Sequence, residues 1–196
     1  MYIISILTMS VMLFVSTGIQ FWMTNYFMEV LHFTQTQVNI AYAVVSITGP
    51  TLGAGFGGYI TNYIGGYAEP RTIYFIFAFA SVGMTCAVII PFVSHFWVVS
   101  ILLWMVLFFG GAMVPGLTGM IMASVPPEVR SFGNSKGEII KNTLGYFPSP
   151  FLYGLINNAS SNPRAGMILI MFWGLMAPIL LGIGSIFTFI DGKKAL

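Results

Sequence analysis

Six long apolar runs, separated by short polar or proline-rich segments, make up the chain. Each run is long enough for a helix that crosses the hydrocarbon core of a bilayer, which takes about 20 apolar residues. The runs predict helices over residues 2–31, 37–64, 71–92, 96–124, 132–156 and 165–190. With turns this short, residues 1–196 form a single transmembrane domain. The pattern therefore predicts an all-α, polytopic membrane protein.

Composition supports the same class. Hydrophobic residues make up 57% of the chain and charged residues 6%, whereas a soluble domain has about a quarter of its residues charged. The lipid bilayer is therefore the expected surrounding of most side chains. A formal net charge of +2 is too small to indicate nucleic-acid binding. The single cysteine, Cys86, excludes an internal disulfide and a cysteine-based metal cluster, and we expect no metal or other cofactor.

The basic residues predict an orientation. If the N-terminus is cytoplasmic, the cytoplasmic segments contain five of the seven basic residues, and Arg164 with both histidines lies on the opposite side. The five are Arg71, Arg130, Lys136, Lys193 and Lys194. This imbalance satisfies the positive-inside rule with both termini in the cytoplasm. An even number of spans agrees with it.

A short internal echo suggests a repeat of three helices. Thr51-Leu52-Gly53 in the second helix recurs as Thr143-Leu144-Gly145 in the fifth. Both tripeptides fall in the second helix of a triplet, as a three-plus-three arrangement requires.

The end of the second helix resembles a known transporter signature. Gly58-Tyr-Ile-Thr-Asn62-Tyr-Ile-Gly65-Gly66 is similar to the Gly-x-x-x-Asp-x-x-Gly motif of the major facilitator superfamily. In that family the acidic residue holds a cytoplasmic gate through charge contacts. Asn62 stands at its position here, and an amide cannot make a charge-assisted contact. The basic pair that usually follows is missing.

Other segments resemble the same family. Gln20-Phe-Trp-Met-Thr-Asn-Tyr26 and Gly49-Pro-Thr-Leu-Gly53 resemble the seventh and eighth helices of a twelve-helix member. Pro115-Gly-Leu-Thr-Gly119 and Val125-Pro-Pro-Glu-Val-Arg130 resemble the tenth helix and its cytoplasmic turn. The nearest branch is Spinster-like, which moves lipid-like and organic solutes. The resemblance implies a C-terminal six-helix half of the major facilitator fold, with gating roles for Asn62 and Arg130.

The resemblance also places the first and fourth helices around a central cavity. Ser16, Gln20 and Thr24 share one face of the first helix at four-residue spacing. A polar stripe among lipids is costly, so we expect it to face protein or water; for Gln20, cavity contact and plain interhelical packing are both open. The candidate substrate-binding residues are Gln20, Thr24, Asn25, Trp104 and Lys141.

Glu138 and Lys141 form the second candidate group. They lie three residues apart on the fifth helix and so share a face. A charge at mid-depth costs about 2.5 to 3.5 kcal/mol on insertion scales, so Lys141 should have a partner or a water-filled path. One hypothesis is proton coupling or substrate anchoring by this pair. The other is a lysine that snorkels to the interface with Glu138 as a structural partner.

Two classes of function remain. The first is secondary-active transport of a small organic or lipid-like solute by alternating access. Since one half cannot enclose a path alone, this requires an N-terminal six-helix half or a second copy of the chain. The alternative is a non-transporting membrane scaffold or subunit. Neither histidine lies within a span near a buried serine, so an intramembrane enzyme is not expected.

Overall fold

Described over residues 1–67 and 69–194, the computed structural model contains helices and, in that part of the chain, no strand. The helices are α1 (Tyr2–Asn25), α2 (Gln35–Ile64), α3 (Pro70–Ile89), α4 (Phe96–Ala123), α5 (Arg130–Lys141), α6 (Pro148–Ala159), α7 (Ala165–Trp173) and α8 (Met176–Lys194). Two π turns (Tyr26–Val30 and Asn142–Tyr146) and two 3-10 turns (Ile90–Phe92 and Pro127–Val129) extend or join them. The all-α prediction is confirmed.

Among the residues that the structure describes, five stretches are long and apolar enough to cross a membrane, which fits an integral membrane protein. They are Tyr2–Val30, Gln35–Ile64, Arg71–Phe92, Phe96–Ala123 and Ala165–Ile190. The remaining helical stretch, the fifth in chain order, consists of α5, the second π turn and α6, and α5 contains four charged residues. Its crossing of the membrane stays a prediction, as does the side on which each terminus lies.

Two of the stretches are interrupted near prolines. In the second π turn the amide of Phe147 donates to the carbonyl of Asn142, five residues back, at 3.0 Å. Pro148 and Pro150 follow at once, and neither has an amide that could continue the ladder. Between α7 and α8 the chain makes a short turn at Gly174. The carbonyl of Gly174 lies four residues before Pro178, which has no amide hydrogen to donate to it.

The first helix occupies the centre of the bundle. α1 packs on α4, α5, the second π turn, α6, α7 and α8, and its buried side chains join both hydrophobic clusters of the core. α3 packs on α4 and α8. In contrast, α2 packs mainly on α4 and leaves much of its length exposed. One face of α2 is therefore free to meet lipid or another protein.

Candidate functional site

The ion pair predicted on the fifth stretch is formed. Lys141 Nζ donates to Glu138 Oε1 at 2.6 Å. The two side chains differ in burial, because that of Lys141 is 8% exposed and that of Glu138 is 50% exposed. The charged group of Lys141 thus lies inside the protein, whereas the carboxylate of its partner Glu138 is half-exposed at the surface.

Lys141 is buried on the side of α5 that faces α1. One turn before it, a Cβ built on Gly137 would lie 3.3 Å from Ile6 Cδ1. One turn after it, Gly145 lies against the backbone of Ser10, so closely that a side chain there would collide with the carbonyl oxygen. The cation is consequently held at a tight helix crossing, immediately before the second π turn. Such turns often occur at functional sites.

A separate cavity of about 180 Å³ opens between α1, α2 and α4. Its polar lining comes from Ser16 and Gln20 of α1 and from Tyr42 and Ser46 of α2. Gln20 is exposed, and Ser16 is half-buried. Pro50 of α2 and Gly110 of α4 also line this cavity. We call this space the central cavity.

The other predicted binding residues do not line the central cavity. Thr24 and Asn25 are half-buried near the end of α1, next to the first π turn. Trp104 lies on α4, where its ring stacks on Phe108 and its Nε1 donates to Thr48 Oγ1 at 3.0 Å. Lys141 faces α1 and lies outside the cavity as well. The structure therefore joins Lys141 with Glu138, and Gln20 with Ser16, but keeps these two groups apart.

The predicted gating residues lie at the opposite end of α2 from the central cavity. Asn62 is exposed, and its side chain makes no hydrogen bond within the described residues. Arg130 is exposed too, and its Nε donates to the carbonyl of Val125 at 3.2 Å. In the α2–α3 turn next to Asn62, the ring of Tyr67 lies directly over Gly119 of α4.

Sequence reasoning missed Tyr42 and Ser46. Both lie on α2 at four-residue spacing, the same signal that indicated Ser16 and Gln20. Tyr42 Oη donates to the carbonyl of Ile19 at 3.4 Å, and Ser46 Oγ donates to the carbonyl of Tyr42 at 2.6 Å. The Tyr42 bond joins α2 to α1 across the cavity, whereas the Ser46 bond lies within α2.

Comparison with known proteins does not assign the chain to a group. No protein-family model matches it, and no curated protein matches it.

Proposed function

We propose that this chain is one half of a secondary-active transporter of the major facilitator type, of the Spinster-like branch, which moves a small organic or lipid-like solute by alternating access. The motif resemblance suggests the family. The observation that supports the proposal is a set of helix contacts that correspond between the first three and the last three helical stretches, as a repeat-built transporter would require.

If the helices are grouped as α1–α2–α3 and α4–(α5–α6)–(α7–α8), most of the contacts between the two groups correspond when the groups are exchanged, although α6 packs on α7 more closely than α2 does on α3. The second helix of each triplet packs on the first helix of the other: α2 on α4, and the α5–α6 stretch on α1. The third helices behave in the same way, since α3 packs on α4 and α8 packs on α1. The two first helices touch each other, and so do the two third helices. A two-fold relation between triplets would produce this set.

The echoed tripeptides take equivalent places in this packing. Gly53 of α2 lies against the carbonyl of Phe108 on α4, and Gly145 lies against the carbonyl of Ser10 on α1. At both positions a Cβ would collide with backbone. Only glycine permits so close an approach of two helices in a membrane. The sequence echo thus coincides with a repeated contact.

Within this proposal the two polar groups have different roles. Gln20 and the central cavity contact the solute, because this mainly apolar space between α1, α2 and α4 also holds polar side chains that could bind it. Lys141 and Glu138 couple or gate, because a buried cation beside a π turn gives the fifth stretch a charge-dependent crossing with α1. The partner that closes the path is an N-terminal half or a second copy.

Access to the central cavity tests the proposal without knowledge of the solute. In a Cys86→Ala background, Gln20→Cys should react with a membrane-impermeant maleimide in sealed vesicles, because the cavity is filled with water in one state. Phe14→Cys, whose side chain is fully buried, is the matched unreactive control. If Gln20→Cys is as unreactive as the control from either side of the membrane, alternating access through this cavity is refuted.

The scaffold alternative has two observations in its favour. The central cavity is small, and Lys141 does not face it. For a transporter, Lys141→Ala should abolish uptake of the solutes that the native protein carries into vesicles, while membrane insertion stays normal. Native transport rates in that variant would favour the scaffold.

A further inference from the structure

The side chains that line the central cavity restrict the kind of solute that it can hold. Within the part of the chain that the structure describes, no Asp, Glu, Lys, Arg or His lines this space. Lys141 and Glu138, the ion pair of α5, lie outside it. A charged group placed in the cavity would lose its water shell and find no counter-charge, which is costly. The cavity therefore favours an uncharged group.

The α1 wall of the cavity carries hydrogen-bonding groups that no protein atom uses. The amide of Gln20 and the hydroxyl of Ser16 make no hydrogen bond within the described residues. The two residues stand four positions apart on one face of α1, so both can contact the same ligand group. Gln20 offers two N–H hydrogens and Ser16 offers one O–H hydrogen. This wall can therefore donate to a ligand oxygen.

The α2 wall differs, because its hydroxyl hydrogens are already used. Tyr42 Oη donates to the carbonyl of Ile19 at 3.4 Å, and Ser46 Oγ donates to the carbonyl of Tyr42 at 2.6 Å. Each hydroxyl oxygen keeps its capacity to accept a hydrogen bond. A ligand group that meets both walls must therefore accept from α1 and donate to α2. A hydroxyl or a carboxamide does both, whereas a carboxylate only accepts and a quaternary ammonium does neither.

The rest of the lining is mainly apolar and deformable. Met9, Met12 and Met84 contribute thioether side chains, which adapt to irregular shapes. The cavity volume of about 180 Å³ is smaller than the roughly 300 to 1,000 Å³ of pockets that enclose a drug-sized ligand. The cavity is consequently sized for one end of a solute, and the other end lies outside it.

We propose that the central cavity binds the uncharged polar end of its solute, a hydroxyl or carboxamide group on an apolar body, and excludes carboxylate and quaternary ammonium groups. The inference rests on the function proposed above, since it names the class of solute for the same cavity. Gln20 and Ser16 donate to the oxygen of this group, whose own hydrogen is donated to Tyr42 Oη or Ser46 Oγ. The apolar body lies along the methionines.

Reagents that differ in charge test this selectivity without knowledge of the solute. Three methanethiosulfonates carry a hydroxyl, a sulfonate or a trimethylammonium group two carbons from the reacting sulfur. The full chain with Cys86→Ala and Ser16→Cys is placed in vesicles made permeable, so that each reagent reaches both membrane faces. Every rate is divided by the rate of the same reagent at Ser161→Cys, which is exposed in the loop after α6. The normalised rate of the hydroxyl reagent should exceed those of both charged reagents by about tenfold or more.

A second variant places a charge in the cavity. Gln20→Glu keeps nearly the same shape, and because residue 20 is exposed, its carboxylate stays ionised at pH 8. Combined with Ser16→Cys, it should speed the trimethylammonium reagent about tenfold and slow the sulfonate reagent, since the charges lie within one helical turn. Gln35→Glu, at the exposed start of α2 and outside the cavity, is the matched control and should change no rate.

The outcomes separate this inference from the function on which it rests. If no reagent reacts at Ser16→Cys, the cavity is not filled with water and both proposals are wrong. If the hydroxyl reagent reacts and either charged reagent matches its normalised rate, the cavity accepts charge, and the inference alone is overturned. Equal effects of Gln20→Glu and Gln35→Glu would also overturn it, because Gln20 would then not face the group bound beside Ser16.

Discussion

Removing Glu138 should destabilise the protein more than removing the charge of Lys141. Glu138→Ala leaves an ammonium group buried at 8% side-chain exposure without its 2.6 Å partner, and breaking a buried pair in this way costs about 3 to 5 kcal/mol. Lys141→Met keeps the apolar stem and leaves a carboxylate that is half-exposed and can be hydrated. We expect that variant to lie within about 1 kcal/mol of the native chain, because uncharged replacements of buried ions are often neutral.

The measurement is the free energy of unfolding in mild detergent micelles titrated with dodecyl sulfate. Glu138→Gln, which keeps an acceptor oxygen at the same place, should fall between the two variants. The double variant Glu138→Ala/Lys141→Met should recover most of the stability lost in Glu138→Ala, since no buried charge remains. If Glu138→Ala costs no more than Lys141→Met, the ammonium reaches water by another path and the reasoning from burial is wrong.

Three further predictions concern the packing. Gly53→Ala should cost about 1 to 3 kcal/mol of unfolding free energy, because its Cβ would meet the backbone of α4. Gly55→Ala, where the new Cβ has open space, should be neutral or gain about 0.5 to 1 kcal/mol. Equal unfolding free energies for the two variants would contradict the close crossing of α2 and α4. Trp104→Phe and Thr48→Val should each lower the free energy of unfolding by about 1 kcal/mol in the same titration. The double variant should lower it no more than either single change. Full additivity would show that the hydrogen bond between the two side chains contributes nothing. Arg164→Gln should speed amide hydrogen exchange in residues 90–95 and 160–164 and leave α4 unchanged. Uniform acceleration would mean that Arg164 does not act locally.

The sequence predicted the helical stretches well because long apolar runs leave few alternatives to a helix. It also predicted the Lys141–Glu138 pair, because spacing along one helix fixes which residues are neighbours. It could not predict that Trp104 would line a second cavity, with Ile40 and Val44 of α2, and not the central cavity. α4 is apolar all round, so no polar stripe distinguishes its faces.

The sequence could not predict the form of the helix interruptions, for a different reason. Pro148 and Pro150 indicate an irregular helix, but a π turn, a kink and a water-filled gap can all accommodate them. The sequence likewise could not predict that α2 packs on α4. Its contact with α4 joins residues more than 50 positions apart, and the glycines that allow it also suit a merely flexible helix.

The dependence of α2 on α4 has a consequence for biogenesis. When α1, α2 and α3 have been synthesised and inserted, α2 has few contacts with either neighbour, and the helix that covers its glycines is not yet made. The main partners of α1 in the fifth and sixth stretches are made later still. Membrane insertion and helix packing must therefore be separate stages in this chain. The first three helices lie in lipid without their main packing partners until α4 has been synthesised. We expect the nascent protein to depend on a chaperone or on the insertion machinery itself during that interval.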